Sequence, residues 1–221
     1  DGSCEYPDSG DYSLSFDGEN DYVIISESNS LSDLNELTME ITILVEEGQE
    51  NTSILTQGGN KYLYWDVDFE NDYSSGHGFQ IEPDGYSGGS AETFNMDYNE
   101  WYTLTWLYDD LSNEFRIYQN GEYIRTESAE ITFNSGNEEL ILGIWEHNNI
   151  DFRGMVSKLK IWNKALSDEE LFLNYNVTEN NDNVVAYYKF NAGSGDILYD
   201  HSGNGNHGTI NGATWTTDVS V

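Results

Sequence analysis

A chain of 221 residues with 37% hydrophobic and 14% aromatic content has the material for one folded domain and is not disordered by composition. Its 41 acidic residues against 8 basic ones leave a net charge of −33, which excludes nucleic acid and anionic membrane surfaces as partners, because their phosphates would be repelled. The single cysteine, Cys4, excludes an internal disulfide or a cysteine-based zinc site, and no apolar run approaches the roughly 18 residues of a membrane span. Most of the acid reads as a solvated coat, with a handful of carboxylates as candidate calcium ligands.

After a polar opening over residues 1–11, SLSFDGENDYVIIS predicts strands at Leu14–Phe16 and Tyr22–Ile25 on either side of a turn-forming DGEND. A polar connection leads into a strand over Thr38–Val45, whose β-branched residues alternate with Glu40 and Thr42. Strands at Thr52–Thr56, Tyr62–Val67 and His77–Ile81 continue a meander that Pro83-Asp84-Gly85 turns. Glu100–Tyr108 predicts a further strand, with Trp101 and Trp106 expected in the core, as is Trp162. In FRIYQNGEYIRT, Asn120-Gly121 separates two alternating runs. That is the strongest hairpin signal in the chain, since both turn residues must take φ > 0.

Glu139–Ile144 leads through a polar loop to a strand over Phe152–Trp162. Phe152, Met155, Leu159 and Ile161 are its apolar positions, with a bend at Gly154, and Ser157, Lys158 and Lys160 its polar ones, which suits a half-buried strand. Ser167 stands three residues before Glu170, a capping box that predicts a short helix from Ser167. The glycine-rich segment Val184–Trp215 is expected to fold back as edge strands, with Trp215 beside Tyr12.

Four stretches carry a family resemblance: SFDGENDYV from Ser15, WYTL from Trp101, YQNG from Tyr118, and the run from Phe152 to Leu171 that ends IWNKALSDEEL. Together they resemble laminin G-like and pentraxin-like domains of the concanavalin A-like lectin/glucanase superfamily. The resemblance covers Ser13–Trp215 and implies an all-β, two-sheet antiparallel jelly-roll sandwich with one short helix near 167–174. About thirteen to fifteen strands are expected. The domain would span 12–217, with 184–217 completing the sandwich edge and 1–11 a linker. Many laminin G-like domains carry an Asp where this chain has Ser157, so a calcium site dependent on that carboxylate would be lost or rearranged. DGSCEYP resembles the end of short cysteine-containing repeats in large secreted proteins, which would pair Cys4 with an upstream cysteine.

Two chemical patterns fail on context. Gly85-Tyr86-Ser87-Gly88-Gly89 matches a nucleophile elbow, but SAETFNMDY after it has no helical period. Gly203–Gly208 matches G-x-G-x-x-G, but it leads into TINGATW, with no helix N-terminus to hold a pyrophosphate. Asp66, Asp68 and Glu70 alternate as a glucanase carboxylate pair would, although an alternating trio is expected by chance in so acidic a chain. With Asp72 they also resemble the start of an EF-hand loop, yet Asn71 and His77 stand where glycine and glutamate belong.

Calcium is the better-supported cofactor, because it takes hard oxygen ligands. Asp17, Asn20 and Asp21 in the DGEND turn, and Asp200, Ser202 and Asn204 in DHSGNGN, are the candidate ligands, and both loops would converge on one ion if the final segment folds back. The competing reading is that each cluster bonds its own backbone as an Asx-type loop. For a sugar, aromatic faces beside planar polar groups are needed, and Trp145, His147, Asn148, Asn149 and Tyr86 are the candidates by type and loop position. The sequence is thus identified as a non-catalytic, secreted or cell-surface recognition module of a longer chain, with Ca2+ and a glycan or cell-surface partner. A protein-binding spacer is the alternative, and a glycosidase or lyase the lesser one.

Overall fold

The computed structural model describes residues 6–32, 34, 36–49, 52–57, 66–72, 76–82, 96–128, 139–145, 150–174 and 183–220. In chain order the first strands are β1 Ser13–Asp17, β2 Tyr22–Ile25, β3 Leu37–Val45, β4 Thr52–Ser53, β5 Leu55–Gln57, β6 Asp66–Asp72, β7 Gly76–Glu82, β8 Trp101–Asp109 and β9 Glu114–Gln119. Then come β10 Glu122–Ser128, β11 Leu140–Leu142, β12 Ile144–Trp145, β13 Ile150–Asp151, β14 Arg153–Trp162 and the helix α1 Asp168–Asn174. The last are β15 Val184–Tyr188, β16 Ile197–Leu198, β17 Gly208–Asn211 and β18 Thr214–Thr216.

The larger sheet runs β10-β9-β8-β3-β14-β1-β18, with β15 taking over from β1 along the second half of β14. The facing sheet runs β16-β17-β2-β11-β5, and β12-β13 and β4-β6-β7 form smaller ribbons. Every ladder is antiparallel in both main sheets. Phe16, Ile41, Trp106 and Leu159 from one layer meet Val23, Leu142 and Ile210 from the other in one buried core. The all-β jelly-roll sandwich with one short helix is therefore the fold. Among the described residues, the strands beyond the expected fifteen are short pieces such as β4, β12 and β13.

Three features differ from the sequence expectation. First, β1 and β2 do not pair with each other: β1 lies in the larger sheet and β2 in the smaller, so DGEND crosses between layers. Leu14 and Phe16 then face Val23 and Ile25 across the core. Second, Val156 rather than Met155 is buried on β14, because the ladder to β3 skips Ser157. This bulge resets the two-residue period, so Gly154 and Val156 precede it in phase and Leu159 and Ile161 follow. Third, Trp101 is only partly buried, whereas Trp106 and Trp162 are fully enclosed.

Local signals translate directly. Asn120 and Gly121 sit at φ 51° and 77°, the two left-handed turn residues of a I′ hairpin joining β9 to β10. The Ser167 Oγ accepts from Glu170 N–H at 3.3 Å while the Glu170 carboxylate accepts from Ser167 N–H at 2.9 Å, a reciprocal cap on α1. The approach to α1 is tied to the outer face of the larger sheet, since Thr38 Oγ1 donates to the Lys164 carbonyl at 2.6 Å and accepts from Leu166 N–H at 3.0 Å. That cover helps to bury the outward-facing Thr38 at the start of β3, a strand whose nine residues are all buried.

The segment after α1 does fold back, but into both layers: β15 and β18 join the larger sheet, and β16 and β17 the smaller. Trp215 pairs with Leu14, two residues from Tyr12, and its indole donates to the Gly195 carbonyl at 2.9 Å.

Candidate functional site

The DGEND turn is bonded from within and from across the sandwich rim. Asp21 Oδ2 accepts from Asp17 N–H at 2.9 Å, and Asp17 Oδ1 accepts from Glu19 N–H at 2.8 Å. Asn20, at φ 63°, turns its N–H outward to Asp151 Oδ2 at 2.6 Å. Asp151 ends the β12–β13 hairpin, in which Trp145 pairs with Ile150. Residues 146–149 join those two strands, so the hairpin that carries the sequence candidates His147, Asn148 and Asn149 is docked on the turn that carries the metal candidates. His147, Asn148, Asn149 and Tyr86 themselves lie outside the described residues, as does the side chain of Trp145.

Gln49 braces the same rim. Its side-chain amide donates to the Asp151 carbonyl at 3.4 Å and its Oε1 accepts from Arg153 N–H at 2.5 Å, while Tyr98 donates to its main-chain carbonyl at 3.0 Å. Gly212 completes the enclosure: a Cβ there would stand 2.0 Å from Asp21 Oδ1. Only glycine lets β17 turn past this carboxylate so closely.

Electrostatically the turn is loaded. Burial pushes the Asp21 carboxyl above its usual range, and the negative charges of Asp17 and Asp151 and contact with the Asp17 carboxyl add to the rise. The hydrogen bond from Asp17 N–H opposes it. Among the described residues, buried Asp151 Oδ1 has no hydrogen-bond partner, although its other oxygen is satisfied. Asp17, Asp21 and Asp151 thus present hard oxygens with mutual repulsion and an unmet acceptor, which is the donor chemistry a divalent cation takes. Among the described residues no three acidic or histidine side chains gather into a ready-made cage, so further oxygens would have to come from main-chain carbonyls or water.

The second candidate cluster is different. Asp200, fully buried, accepts from Tyr187 N–H at 2.9 Å and Ser202 N–H at 2.8 Å on one oxygen. Its other oxygen accepts from Asn206 N–H at 2.9 Å and Ser202 Oγ at 2.8 Å. Asn204 donates to the Val184 and Val185 carbonyls, at 3.2 and 3.1 Å. Four donors saturate the carboxylate, so Asp200, Ser202 and Asn204 pin a loop. Nor does this loop meet DGEND. Tyr22 pairs with Asn211 at one end of the β2–β17 ladder, and Ile25 with Gly208 at the other, where Asn206 reaches Ser30 at 2.8 Å. The two loops sit at opposite ends of that ladder, and convergence on one ion does not occur.

Sequence reading missed Asp151, Gln49 and Gly212. The only local signal was an acid directly before Phe152, which nothing distinguished from the other acids of the chain. Of the glucanase-like trio, Asp66, Asp68 and Glu70 do lie on one strand, β6, which pairs with β7.

A two-layer antiparallel sandwich with an acidic, loop-built rim is a lectin-like architecture. Residues 17–172 match the laminin G-type family model of the concanavalin A-like lectin/glucanases superfamily, and the chain belongs to that family. No curated protein is a significant match to the sequence. Among solved structures, the fold is similar to a proposed carbohydrate binding protein from Bacteroides ovatus, with a TM-score of 0.74 and 21% identity over 94% of this chain and 60% of that one. This chain therefore spans less than two thirds of that protein. It is also similar to a heptameric SAP-like pentraxin from Limulus polyphemus, with a TM-score of 0.58 and 15% identity over 73% and 80% of the two chains. Domain 4 of an extracellular GH43 arabinanase from Geobacillus stearothermophilus, in complex with arabinotriose, gives a TM-score of 0.56 and 14% identity over 72% and 74%. Among the described residues no helix is long and apolar enough to cross a membrane.

Proposed function

We propose that this chain is a non-catalytic, calcium-dependent carbohydrate-recognition domain working outside the cell as part of a longer protein. The observation that carries the reading is the bond from Asn20 N–H to Asp151 Oδ2, which fastens the acidic turn to the hairpin bearing Trp145 and residues 146–149. Calcium would be held by Asp21 with one of its two neighbouring carboxylates, Asp17 or Asp151, while Asn20 supplies its carbonyl or amide oxygen and main-chain carbonyls or water complete the shell. When bound, the ion supplies positive charge that relieves the repulsion among these carboxylates and fixes the hairpin relative to the turn. The protein's own part is to enclose Asp21 beneath Gly212 and to brace Asp151 through Gln49. The similar proteins described as carbohydrate binding, or solved with arabinotriose, support sugar as the ligand class.

The test is a glycan array run in millimolar calcium and again in EDTA, with wild type and Asp21→Asn side by side. The expected result is binding that EDTA abolishes and that Asp21→Asn loses even with calcium present. Binding indifferent to both EDTA and the substitution would remove calcium from the function. An absence of binding in either buffer would leave the protein-binding spacer as the better reading.

A further inference from the structure

A second constellation lies on the outer face of the larger sheet, away from the acidic rim. Strand register lines up Lys160, Glu40, Thr105, Tyr118 and Tyr123 as one cross-strand row over β14, β3, β8, β9 and β10. The inward neighbours Met39, Ile41 and Trp106 belong to the core, so this row faces outward. The helix α1 crosses the same face, held where Tyr118 donates to Asp168 Oδ1 at 2.7 Å and Arg116 meets the same oxygen at 3.1 Å.

Between α1 and the tip of the β9–β10 hairpin is a groove of about 460 Å³, with Glu40, Thr105 and Tyr118 among its lining and Asn120, Tyr123 and Phe172 toward the tip and helix. That volume is in the range of small-molecule sites. Its acids are largely balanced: Glu40 pairs with Lys158 at 2.6 Å and Asp168 with Arg116. The exposed end is amphipathic. Phe172 and Tyr123 are 75% and 57% exposed, large rings left in water on two different elements beside one cavity. Next to them Asn120 uses its Oδ1 on Thr103 N–H at 2.9 Å, its amide N–H groups meet no acceptor among the described residues, and Glu122 is exposed.

We infer that this groove is a separate, calcium-independent binding site for a neutral oligosaccharide. Sugar C–H faces stack on Tyr123 and Phe172, while hydroxyls bond the Asn120 amide and the Glu122 carboxylate. Exposed rings flanked by planar polar groups suit a ligand that is apolar on its ring faces and hydroxylated at its edges. Charge decides the subclass. Ion pairs already neutralise much of the lining, and a chain of net charge −33 repels uronate or sulfated glycans. The inference goes beyond the calcium rim, and either site can fail alone.

The test uses the whole chain in EDTA, with xylotriose, arabinotriose, cellotriose and N,N′,N″-triacetylchitotriose as probes, read by amide chemical shifts. The expected result is saturable shifts confined to residues 118–124 and 168–173 with at least one probe, weakened at least tenfold in Tyr123→Ala. Phe172→Ala, a change at a still more exposed side chain, should also weaken binding and guards against a folding artefact. Shifts elsewhere, shifts insensitive to both substitutions, or no shifts with any probe at millimolar concentration would overturn the site. A response to polygalacturonate fragments alone would overturn its neutral chemistry. Shifts in the same amides that track protein concentration without sugar would mean that a second copy of this chain occupies the groove, and would overturn the sugar reading.

Discussion

Asp21 is the residue on which the rim turns, because its environment opposes the charge it carries at neutral pH. Its folded carboxyl lies above the free value of 3.8, so the folded state holds the proton more tightly than the unfolded state. The sign is opposite to that of a salt-bridged aspartate. The group costs nothing below the ordinary carboxylate range and becomes progressively unfavourable as pH rises through its raised folded value. In EDTA, Asp21→Asn should match wild type only well below the free value of 3.8, near about pH 2, and melt higher by about 2 °C near about pH 7. The asparagine oxygen can still accept from Asp17 N–H, so the variant removes charge and not the bond. Millimolar calcium at pH 7 should reverse the order by raising wild type alone. Thermal melts by circular dichroism across the pH range decide it, and a wild type more stable than the variant at pH 7 in EDTA would sink the argument.

Among the elements, those written in local sequence were legible and those set by distant partners were not. Asn120-Gly121 and Ser167–Glu170 specify a turn and a cap from adjacent residues, and both appear as read. The layer to which β2 belongs could not be read, because Val23 and Ile25 are equally apolar facing either sheet; the partners β11 and β17 decide it, from far along the chain. The bulge at Ser157 has no local mark either, and shows only in the ladder to β3, which skips that residue. The site follows the same rule. Asp17 and Asp21 were visible as acids in a turn, but Asp151 counts only because its hairpin docks there, and Asp200 drops out because N–H groups of residues 187, 202 and 206 consume it. The cap itself gives a test at this scale. Ser167→Ala removes both of the hydroxyl's bonds to Glu170 and should destabilise the fold by about 1 kcal/mol in urea titrations. Because α1 walls the outer groove, the same change should raise hydrogen exchange in 168–174 while leaving β1 and the DGEND turn unaffected. Equal loss of protection in both regions would show that α1 is not a separable element.

At the scale of the whole molecule, charge is the dominant unbalanced term. Basic residues are few, and several on the larger sheet are already engaged: Lys158 with Glu40, Arg116 with Asp168, Arg153 with Glu46, and the buried Lys160 between the rings of Trp162 and Tyr187, each 4.8 Å away. Desolvation holds the Lys160 ammonium below the usual lysine range despite nearby Glu40. The remaining acids repel one another across the surface, and that repulsion weakens as the screening length falls from about 30 Å at 0.01 M salt to about 3 Å at 1 M. Raising NaCl from about 0.01 M to about 0.5 M in EDTA should therefore lift the melting temperature by several degrees, with most of the gain below about 0.2 M. The close pairs on the larger sheet lose little in that range, since buried or partly buried charges are screened far less than exposed ones. Calcium can be separated from screening in the same experiment. At 0.5 M NaCl general repulsion is already suppressed, so a further rise on adding millimolar calcium, missing with equimolar magnesium and missing in Asp21→Asn, reports the rim. A melting temperature that is flat or falls with NaCl would mean that ion pairing outweighs repulsion, and that the acidic surface is organised into attractive networks instead of a solvated coat.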